Sequence, residues 1–379
     1  MSLAPTEEQE LLRESARGFL DERAPVAELR RLRDTADPDG FSRAVWKEMA
    51  ELGWAGIPFE ERFGGAGLGW AELGVVMAEC GRTLAASPLL ATTALGGALV
   101  ALAGDDAQRE RWLAPLCAGG VLLAGAVQEG PHHAPHRVAA RAERDGAGFA
   151  LRGRKHFVLD GHVADAIVVV ARTAGGETDR DGLGLFVVDA GAPGLTVKRT
   201  LMVDGRNAAT VELDGVAVAA DRVLGDPGGA AAALDAALDR ATAALASEML
   251  GGAEAAFART LDYLRVREQF GVPIGSFQAL KHRAARMYIE IELGKSLALD
   301  ALRALDEGRD DAPAAVSAAK AKLDDALQLV GAEGVQMHGG IGVTDEEDIG
   351  LFLKRFRVQQ RTFGDGGFHR RRYAALRGY

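Results

Sequence analysis

The chain has few of the residues that build disulfide-bonded or membrane-embedded proteins. Its 379 residues include only two cysteines, Cys80 and Cys117, which excludes a disulfide scaffold and a structural zinc cluster. No apolar run approaches the roughly 20 residues that a membrane-spanning helix needs. The start of the chain turns acidic after Thr6 and lacks the basic and apolar regions of a signal peptide. These absences predict a cytoplasmic protein without membrane association.

Positive charge is also scarce. There are 44 Lys and Arg against 54 Asp and Glu, so the formal net charge is −10. A general nucleic-acid binder needs a surplus of cations to displace counterions from phosphates, so the composition argues against that class. Hydrophobic residues make up 48% and charged residues 26%, as in ordinary globular proteins. The length predicts two or three domains.

The hydrophobic pattern changes twice along the chain. Helical spacing of apolar residues dominates residues 1–120, short β-branched runs bounded by Gly or Asp fill 121–226, and long Ala- and Leu-rich stretches fill 227–379. Strands joined by short turns indicate an antiparallel sandwich or barrel. Long helices with short links indicate an antiparallel bundle. We therefore predict an α+β multidomain fold with an N-terminal helical domain, a middle antiparallel β domain and a C-terminal four-helix bundle.

The same patterns predict individual elements. Thr6 is the expected N-cap of the first helix, and Gly53 is the expected C-cap of a helix that ends near residue 52. The other predicted helices span 72–84, 108–116, 230–268, 277–306, 314–331 and 346–360. The predicted strands span 149–153, 166–170, 185–188, 196–198 and 210–213.

Two segments of the C-terminal part suit the binding of a dinucleotide. Arg267 offers a planar donor fork to a pyrophosphate, and Phe270 can lie against a ring. Gly339 and Gly340 let the backbone approach a ligand and offer N–H donors to an anion. Taken alone, these residues also fit an interhelical salt bridge and a plain helix-connecting turn.

Combined, these segments carry a family resemblance. Residues 265–278 and 336–344, together with 51–56 and 62–65, resemble the acyl-CoA dehydrogenase family. The resemblance covers essentially the whole chain, in order. It implies the three-domain fold described above, an FAD bound across a subunit interface, and usually a tetramer.

The resemblance also implies residue roles and a reaction. FAD-binding positions match Arg267, Phe270 and Gln278, which reach the adenine side from a neighbouring subunit, and Gln336, Gly339 and Gly340, which form the other subunit's pyrophosphate loop. The family removes a proton from the α carbon of an acyl-CoA thioester and passes a hydride from the β carbon to flavin. The electrons then leave to an electron-transferring flavoprotein.

The position of the family's catalytic base is where this sequence departs most. The usual glutamate aligns with Gly364, and a hydrogen atom has no proton affinity. Asp365 is the neighbouring carboxylate and the candidate base, with helix capping as its alternative role. Other members of the family carry the base early in the long helix, where this chain has Ala241. Asp239 and Arg240, beside it, are candidates for contact with the CoA chain, with a solvated ion pair as the alternative.

The middle domain departs at the flavin face. Gln128 could still hydrogen-bond a flavin edge, and Phe157 can stack on the isoalloxazine ring. Leu159 replaces a threonine whose hydroxyl faces the flavin in the family. The loop that usually contacts the pyrophosphate has lost its small serine/glycine turn. The changes therefore affect the flavin face and the base together, while the adenine-side motifs are kept.

Three functions fit this pattern. The first is FAD-dependent α,β-dehydrogenation of an acyl-CoA by this chain itself, with Asp365 as the base. The second is a non-catalytic companion subunit that completes the FAD site of a second, more typical dehydrogenase chain in a heterotetramer. The third, weaker one is different flavin chemistry on the same fold, such as nitroalkane oxidation or hydroxylation.

A histidine cluster offers a metal site as a further possibility. His132, His133 and His136 lie close together on a Gly/Pro-containing loop. A metal site needs ligands aimed at one point and usually a second shell, and no cysteine or carboxylate pair lies nearby in the sequence. We therefore predict solvent-exposed loop histidines and no metal.

Overall fold

The computed structural model describes residues 5–379, and its packing divides the chain into two compact units. Of the described residues, one unit contains those up to Arg31 together with 70–86 and 242–379. The other contains 32–69 and 87–241. Domain boundaries near residues 120 and 226 remain a prediction from sequence.

The helices occupy the two ends of the chain. Within residues 5–379 the α-helices are α1 (Glu7–Arg23), α2 (Val26–Asp34), α3 (Arg43–Glu51), α4 (Trp70–Thr83), α5 (Ala98–Ala103), α6 (Asp106–Cys117), α7 (Ala231–Val266), α8 (Gln278–Asp306), α9 (Ala312–His338), α10 (Ile349–Arg361) and α11 (Gly366–Leu376). A π-helical segment, Leu90–Gly97, precedes α5. All the helices predicted from the sequence are confirmed, but α9 continues past the predicted end at residue 331 to His338.

The strands lie between α6 and α7, apart from a short hairpin after α7. They are β1 (Leu123–Ala126), β2 (Arg141–Asp145), β3 (Gly148–Leu159), β4 (Ala166–Arg172), β5 (Leu183–Asp189), β6 (Leu195–Leu201), β7 (Asn207–Val218), β8 (Val223–Leu224), β9 (Glu268–Gln269) and β10 (Val272–Pro273). The first eight form one sheet in the order β6-β7-β3-β2-β4-β5-β8, with β1 paired to β4. All five predicted strands are confirmed.

The sheet is mainly, but not wholly, antiparallel. β1 pairs in parallel with β4, and β2 bridges β4 in parallel at Arg141 and Arg172. β1 arrives from a helix and not from a hairpin, so its partner is distant in sequence. A residue pattern indicates which face of a strand is buried but not which strand lies beside it, so the sequence could not reveal these two parallel pairs.

The C-terminal helices form a bundle around α9, which packs against α8, α10 and α11. α11 adds one helix to the predicted four. α7 runs for 36 residues despite the glycines in its middle. A Cβ atom on Gly251 would lie 1.8 Å from the carbonyl oxygen of Ala78, and one on Gly81 would lie 2.0 Å from that of Glu248. These glycines therefore let the backbones of α4 and α7 touch.

Local details of the helical parts follow the sequence. Thr6 and Gln9 form a reciprocal capping box at the start of α1. Gly53 follows α3 with a φ of 81°, the left-handed conformation that ends many helices. Cys80 and Cys117 are buried and are not joined by a disulfide. Across residues 5–379, the structure contains no helix with the length and apolar character required to cross a bilayer.

Candidate functional site

The adenine-side residues of the C-terminal bundle meet at a hairpin. β9 and β10 are joined by Phe270 and Gly271, whose φ values of 55° and 78° are both left-handed. A two-residue turn of this kind matches the twist of the strands it joins. Phe270 is 93% exposed, and its ring lies edge-on to that of Phe277, with centroids 6.1 Å apart. Arg267, before the hairpin, and Gln278, after it, are also exposed.

The second C-terminal motif lies at the end of α9. The ring of His338 stacks on that of Tyr263 of α7 at a centroid distance of 4.5 Å, which joins the ends of the two helices. Gln336, Gly339 and Gly340 are exposed. A Cβ atom at either glycine would meet nothing within 4 Å, and Gly339 has a φ of 65°. The loop is therefore open to a ligand.

These features fit the phosphate and adenine portions of a dinucleotide. The ring of Phe270 is 93% exposed and is therefore accessible to a ligand. Arg267 is exposed to solvent, and no other atom would lie within 4 Å of a Cβ atom at Gly339. A cleft of about 310 Å³ opens beside this loop, lined in part by Val335, Gly342 and Leu351.

The residues of the β domain form a second group. β3 is irregular between Lys155 and Val158, where the register against β7 shifts. Phe157 lies in this bulge with a φ of 51° and is 54% exposed. The N–H of His156 donates to the carbonyl oxygen of Gln128 at 2.7 Å, so the structure brings Gln128 and Phe157 together. The Gln128 side chain donates to the carbonyl oxygen of Gly130 at 2.9 Å.

The other predicted residues of this unit have structural partners. Asp239 is 5% exposed, and the Arg240 side chain donates to the carbonyl oxygen of Ala236 one turn earlier at 3.0 Å. The proposed contact of Asp239 and Arg240 with the CoA chain remains a prediction. The family's second base position matches Ala241, which is fully buried and has no titratable group.

The histidine loop is tied to α7 by a hydrogen bond between His136 and Asp235. Nε2 of His136 lies 2.7 Å from Oδ1 of Asp235, and Arg180 contacts the other oxygen of that carboxylate. The pKa of Asp235 is lowered, since hydrogen bonds from His136 and Arg180 outweigh the opposing effect of its burial. Among residues 5–379, no group of three or more His, Cys, Asp or Glu side chains is arranged to hold a metal ion.

The base position lies in a tight turn between α10 and α11. Gly364 has a φ of 104°, and a Cβ atom there would lie 2.6 Å from Cδ1 of Phe368 and 3.1 Å from Nε2 of His369. His369 is buried, and its Nε2 lies 3.0 Å from the carbonyl oxygen of Phe363. A side chain at residue 364 would therefore require Phe368 to move.

Asp365 is engaged at the start of α11. One oxygen accepts a hydrogen bond from the N–H of Phe368 at 2.8 Å, and the other pairs with Arg361 at 2.8 Å. The hydrogen bond from the backbone of Phe368, followed by the charge of Arg361, lowers the pKa of Asp365 below its ordinary value. The alternative role as a helix cap is confirmed. Its role as a base stays a prediction, and a lowered pKa weakens a general base.

Lys320 is a site residue that the sequence analysis missed. Its side chain is fully buried, and its Nζ donates to the carbonyl oxygen of Gly364 at 2.9 Å and lies 4.0 Å from Oδ1 of Asp324. This hydrogen bond therefore holds the turn at Gly364 against α9. The periodicity of α9 was the available signal, because it places residue 320 on the buried face with Val316, Leu323 and Leu327.

Burial makes the Lys320 ammonium costly, which predicts a pH effect on stability. Desolvation lowers its pKa to about 8, against the opposing charges of Asp324 and Asp365 and with a smaller lowering by Arg361. Because the folded-state pKa lies below the unfolded one, the folded chain releases this proton first as pH rises. Its contribution to stability therefore increases between about pH 8 and pH 10.5, by at most ~3 kcal/mol.

Urea unfolding at pH 7.5 and pH 10 tests this expectation. We compare the free energy of unfolding of the natural chain with that of Lys320→Met. The difference between them should shift by ~2 kcal/mol in favour of the natural chain from pH 7.5 to pH 10. Lys322→Met is the control, because that ammonium pairs with Glu290 and is 22% exposed. Parallel pH profiles for the natural chain and Lys320→Met would contradict the assignment.

Comparison with known proteins gives the family. Family models match residues 6–120 (Acyl-CoA dehydrogenase, N-terminal domain), 129–216 (middle domain) and 228–376 (C-terminal domain). Acyl-CoA dehydrogenase IpdE2 of Mycobacterium tuberculosis is 33% identical over 93% of this chain and 92% of its own. Acyl-CoA dehydrogenase FadE12 of the same organism is 31% identical over 86% of this chain and 85% of its own.

Solved structures agree with this result. A variant of the Tcur3481-Tcur3483 steroid acyl-CoA dehydrogenase superposes with a TM-score of 0.88 at 33% identity, covering 98% of each chain. The butyryl-CoA dehydrogenase of Megasphaera elsdenii superposes with a TM-score of 0.91 at 25% identity, covering 100% of each chain. The predicted three-domain fold is confirmed, FAD is the cofactor, and the chain belongs to the acyl-CoA dehydrogenase family.

Proposed function

We propose that this chain is the FAD-binding companion subunit of a heteromeric acyl-CoA dehydrogenase and that a second chain supplies the catalytic base. The reaction is α,β-dehydrogenation of an acyl-CoA thioester. The observation that carries the proposal is the turn at Gly364. In the sequence it aligns with the family's base position, it bears no side chain, and a Cβ atom there would lie 2.6 Å from Cδ1 of Phe368, so a side chain would require that ring to move.

Two carboxylates near the family's two base positions, Asp365 and Glu248, are each engaged by an arginine. Asp365 caps α11 and pairs with Arg361, and its lowered pKa disfavours proton uptake. Glu248 lies seven residues after Ala241 on α7, but it is 3% exposed and paired with Arg355. A base has to come within hydrogen-bond reach of its proton. Neither side chain is free to do so.

The residues that match the family's adenine-side motifs, in contrast, are present and exposed. When bound, FAD supplies a two-electron acceptor for the thioester. Arg267 would pair with a phosphate through its guanidinium, and the N–H groups at Gly339 and Gly340 would donate to phosphate oxygens. Phe270 would cover the adenine side, while Gln128 and Phe157 would contact the isoalloxazine. These contacts support a chain that binds and orients FAD while a partner chain removes the α proton.

Exposed apolar side chains support assembly with other chains. Tyr288, Ile289 and Leu293 on α8 are 53%, 54% and 49% exposed. Apolar side chains clustered on one helix mark an interface. Two-chain assemblies occur among the similar structures, such as the ChsE4-ChsE5 complex from Mycobacterium tuberculosis, which superposes with a TM-score of 0.89 at 27% identity, covering 100% of this chain and 99% of that one. We propose a cytoplasmic heterotetramer with an electron-transferring flavoprotein as acceptor.

Visible spectroscopy of the chain alone and of the co-expressed pair tests the proposal. The partner to try is a second acyl-CoA dehydrogenase-like chain encoded beside this one. The substrate panel should include short, branched and steroid acyl-CoA thioesters, because one similar structure is a steroid enzyme. We expect anaerobic substrate to bleach the flavin band of the pair but not that of this chain alone. Bleaching of the chain alone, lost in Asp365→Asn, would overturn the companion role.

The adenine-side assignment gives a separate prediction. Arg267→Ala should lower the FAD content of the purified protein on the order of tenfold at limiting FAD, because a charge-assisted phosphate contact is lost. Arg265→Ala is the matched control, since Arg265 is similarly exposed, two residues earlier, and paired with Asp262. The flavin-to-protein absorbance ratio measures the effect. Equal ratios in the two variants would argue against Arg267 as a cofactor ligand.

A further inference from the structure

A buried ion pair connects the two halves of the flavin face. Lys155 of β3 is fully buried, and its Nζ lies 2.6 Å from Oε1 of Glu129 and 3.3 Å from the carbonyl oxygen of Val127. Taking an ammonium out of water is costly, and that cost lowers the pKa of Lys155. Such a pair is stabilised by a close partner and by further hydrogen bonds, and Glu129 and the carbonyl oxygen of Val127 supply these here.

Glu129 also closes the loop that follows it. Its Oε2 accepts a hydrogen bond from the N–H of Ala139 at 2.6 Å, and its Oε1 accepts one from the N–H of Ala140 at 3.1 Å. One carboxylate thus binds an ammonium and two backbone N–H groups. The segment 129–140 is held at both ends by this side chain, although it lacks the family's small serine/glycine turn.

The pair sits directly behind the exposed residues of the face. Lys155 is the last residue before the bulge in β3, and Phe157 is the bulged residue with left-handed φ. The N–H of His156 donates to the carbonyl oxygen of Gln128, the residue before Glu129. Glu129 follows Gln128 in the sequence, and Lys155 lies two residues before Phe157. The ion pair therefore joins the two segments that carry Gln128 and Phe157.

We propose that Glu129 and Lys155 are positioning residues, whose ion pair locks the loop after Gln128 to the bulge of β3 and so holds Gln128 and Phe157 against FAD. This inference rests on the proposed placement of the isoalloxazine at Phe157. A left-handed phenylalanine in a bulge is strained and stays in place only where its surroundings fix it. The ion pair supplies that constraint at the residue immediately before the bulge.

Glu129→Gln and Lys155→Met are the test variants, measured in the FAD-loaded chain and in the chain stripped of FAD. Hydrogen–deuterium exchange in segment 128–140 and at residues 156–158 should quicken on the order of tenfold without FAD, because the loop loses an anchor. The Kd for FAD should rise on the order of tenfold, and the flavin absorption band should shift. If Glu129→Gln does not fold, the double variant, which buries no unpaired charge, should fold and show the same changes.

The control is a surface ion pair on the same strand. Arg154 pairs with Glu212, and both side chains are about half exposed (58% and 49%). Arg154→Met should leave exchange, FAD affinity and the flavin spectrum unchanged. A lower melting temperature in Glu129→Gln with exchange and flavin spectrum like those of Arg154→Met would mean a purely structural role and would overturn the inference.

Phe157→Ala separates this inference from the proposed function. An altered flavin spectrum in Phe157→Ala, together with an unaltered one in Glu129→Gln, would overturn only the positioning role. An unaltered spectrum in Phe157→Ala would show that the flavin does not lie there, and both proposals about this face would be overturned. Altered spectra in both variants support the inference.

Discussion

Gly364→Ala is expected to destabilise the C-terminal bundle by about 2–4 kcal/mol, because two costs coincide at this residue. A φ of 104° is unfavourable for any residue with a Cβ atom, and the new methyl group would lie 2.6 Å from the ring of Phe368. That ring belongs to the first turn of α11, whose N-cap is Asp365. The ring therefore has to move to make room for the methyl group.

Gly308→Ala separates the two costs. Gly308 follows α8 with a φ of 61°, but a Cβ atom there would meet nothing within 4 Å. It should cost only the conformational part, about 1 kcal/mol. Urea unfolding of the two variants gives the comparison. Equal losses would show that the turn at Gly364 has room for a side chain, and the main support for the companion role would be lost.

The same geometry predicts the fate of an installed carboxylate. Gly364→Glu restores the residue type that the family uses at this position. Its side chain must first displace Phe368 or His369, so the turn has to reorganise. We expect this variant, purified alone with FAD, to remain unbleached by acyl-CoA. Bleaching would show that the position is merely vacant and that the chain needs no second base-bearing subunit.

The order of domains and most helices followed from the sequence because each signal was local. Thr6 with Gln9, Gly53 and the Ala-rich stretch of α7 determine caps and helix lengths through contacts within a few residues. The residues predicted to contact the adenine side lie close together in the structure, because Arg267 and Phe270 belong to one hairpin and its approach. The residues of this sequence motif are therefore also neighbours in the structure.

The base position and its supports could not be predicted in the same way. The sequence showed Gly364 but not its φ or the ring beside it, which depend on how α10, α9 and α11 meet. Lys320 is a lysine in an Ala-rich helix, and only the tertiary fold places its ammonium on the carbonyl oxygen of Gly364. Likewise, Glu129 and Lys155 lie 26 residues apart in the sequence, and only the tertiary structure shows that they form one ion pair.

Arg355→Met is expected to cost about 3–5 kcal/mol in the free energy of unfolding, because it leaves the carboxylate of Glu248 buried without its cation. Both Nε and Nη2 of Arg355 donate to Oε1 of Glu248, at 3.0 and 2.7 Å, and the two side chains are 8% and 4% exposed. The loss should shrink at acid pH, because protonating an unpaired buried carboxyl removes its charge.

The double variant Arg355→Met/Glu248→Leu tests the cause of that loss. Two apolar side chains bury no charge, so most of the stability should return. Lys295→Met is the exposed control, since Lys295 pairs with Glu254 of α7 with both side chains 42% exposed, and it should cost no more than about 1 kcal/mol. A double variant as unstable as Arg355→Met would mean that Arg355 acts through packing, not charge. The carboxylate of Glu248 would then not depend on Arg355, and its exclusion as a base would need a different reason.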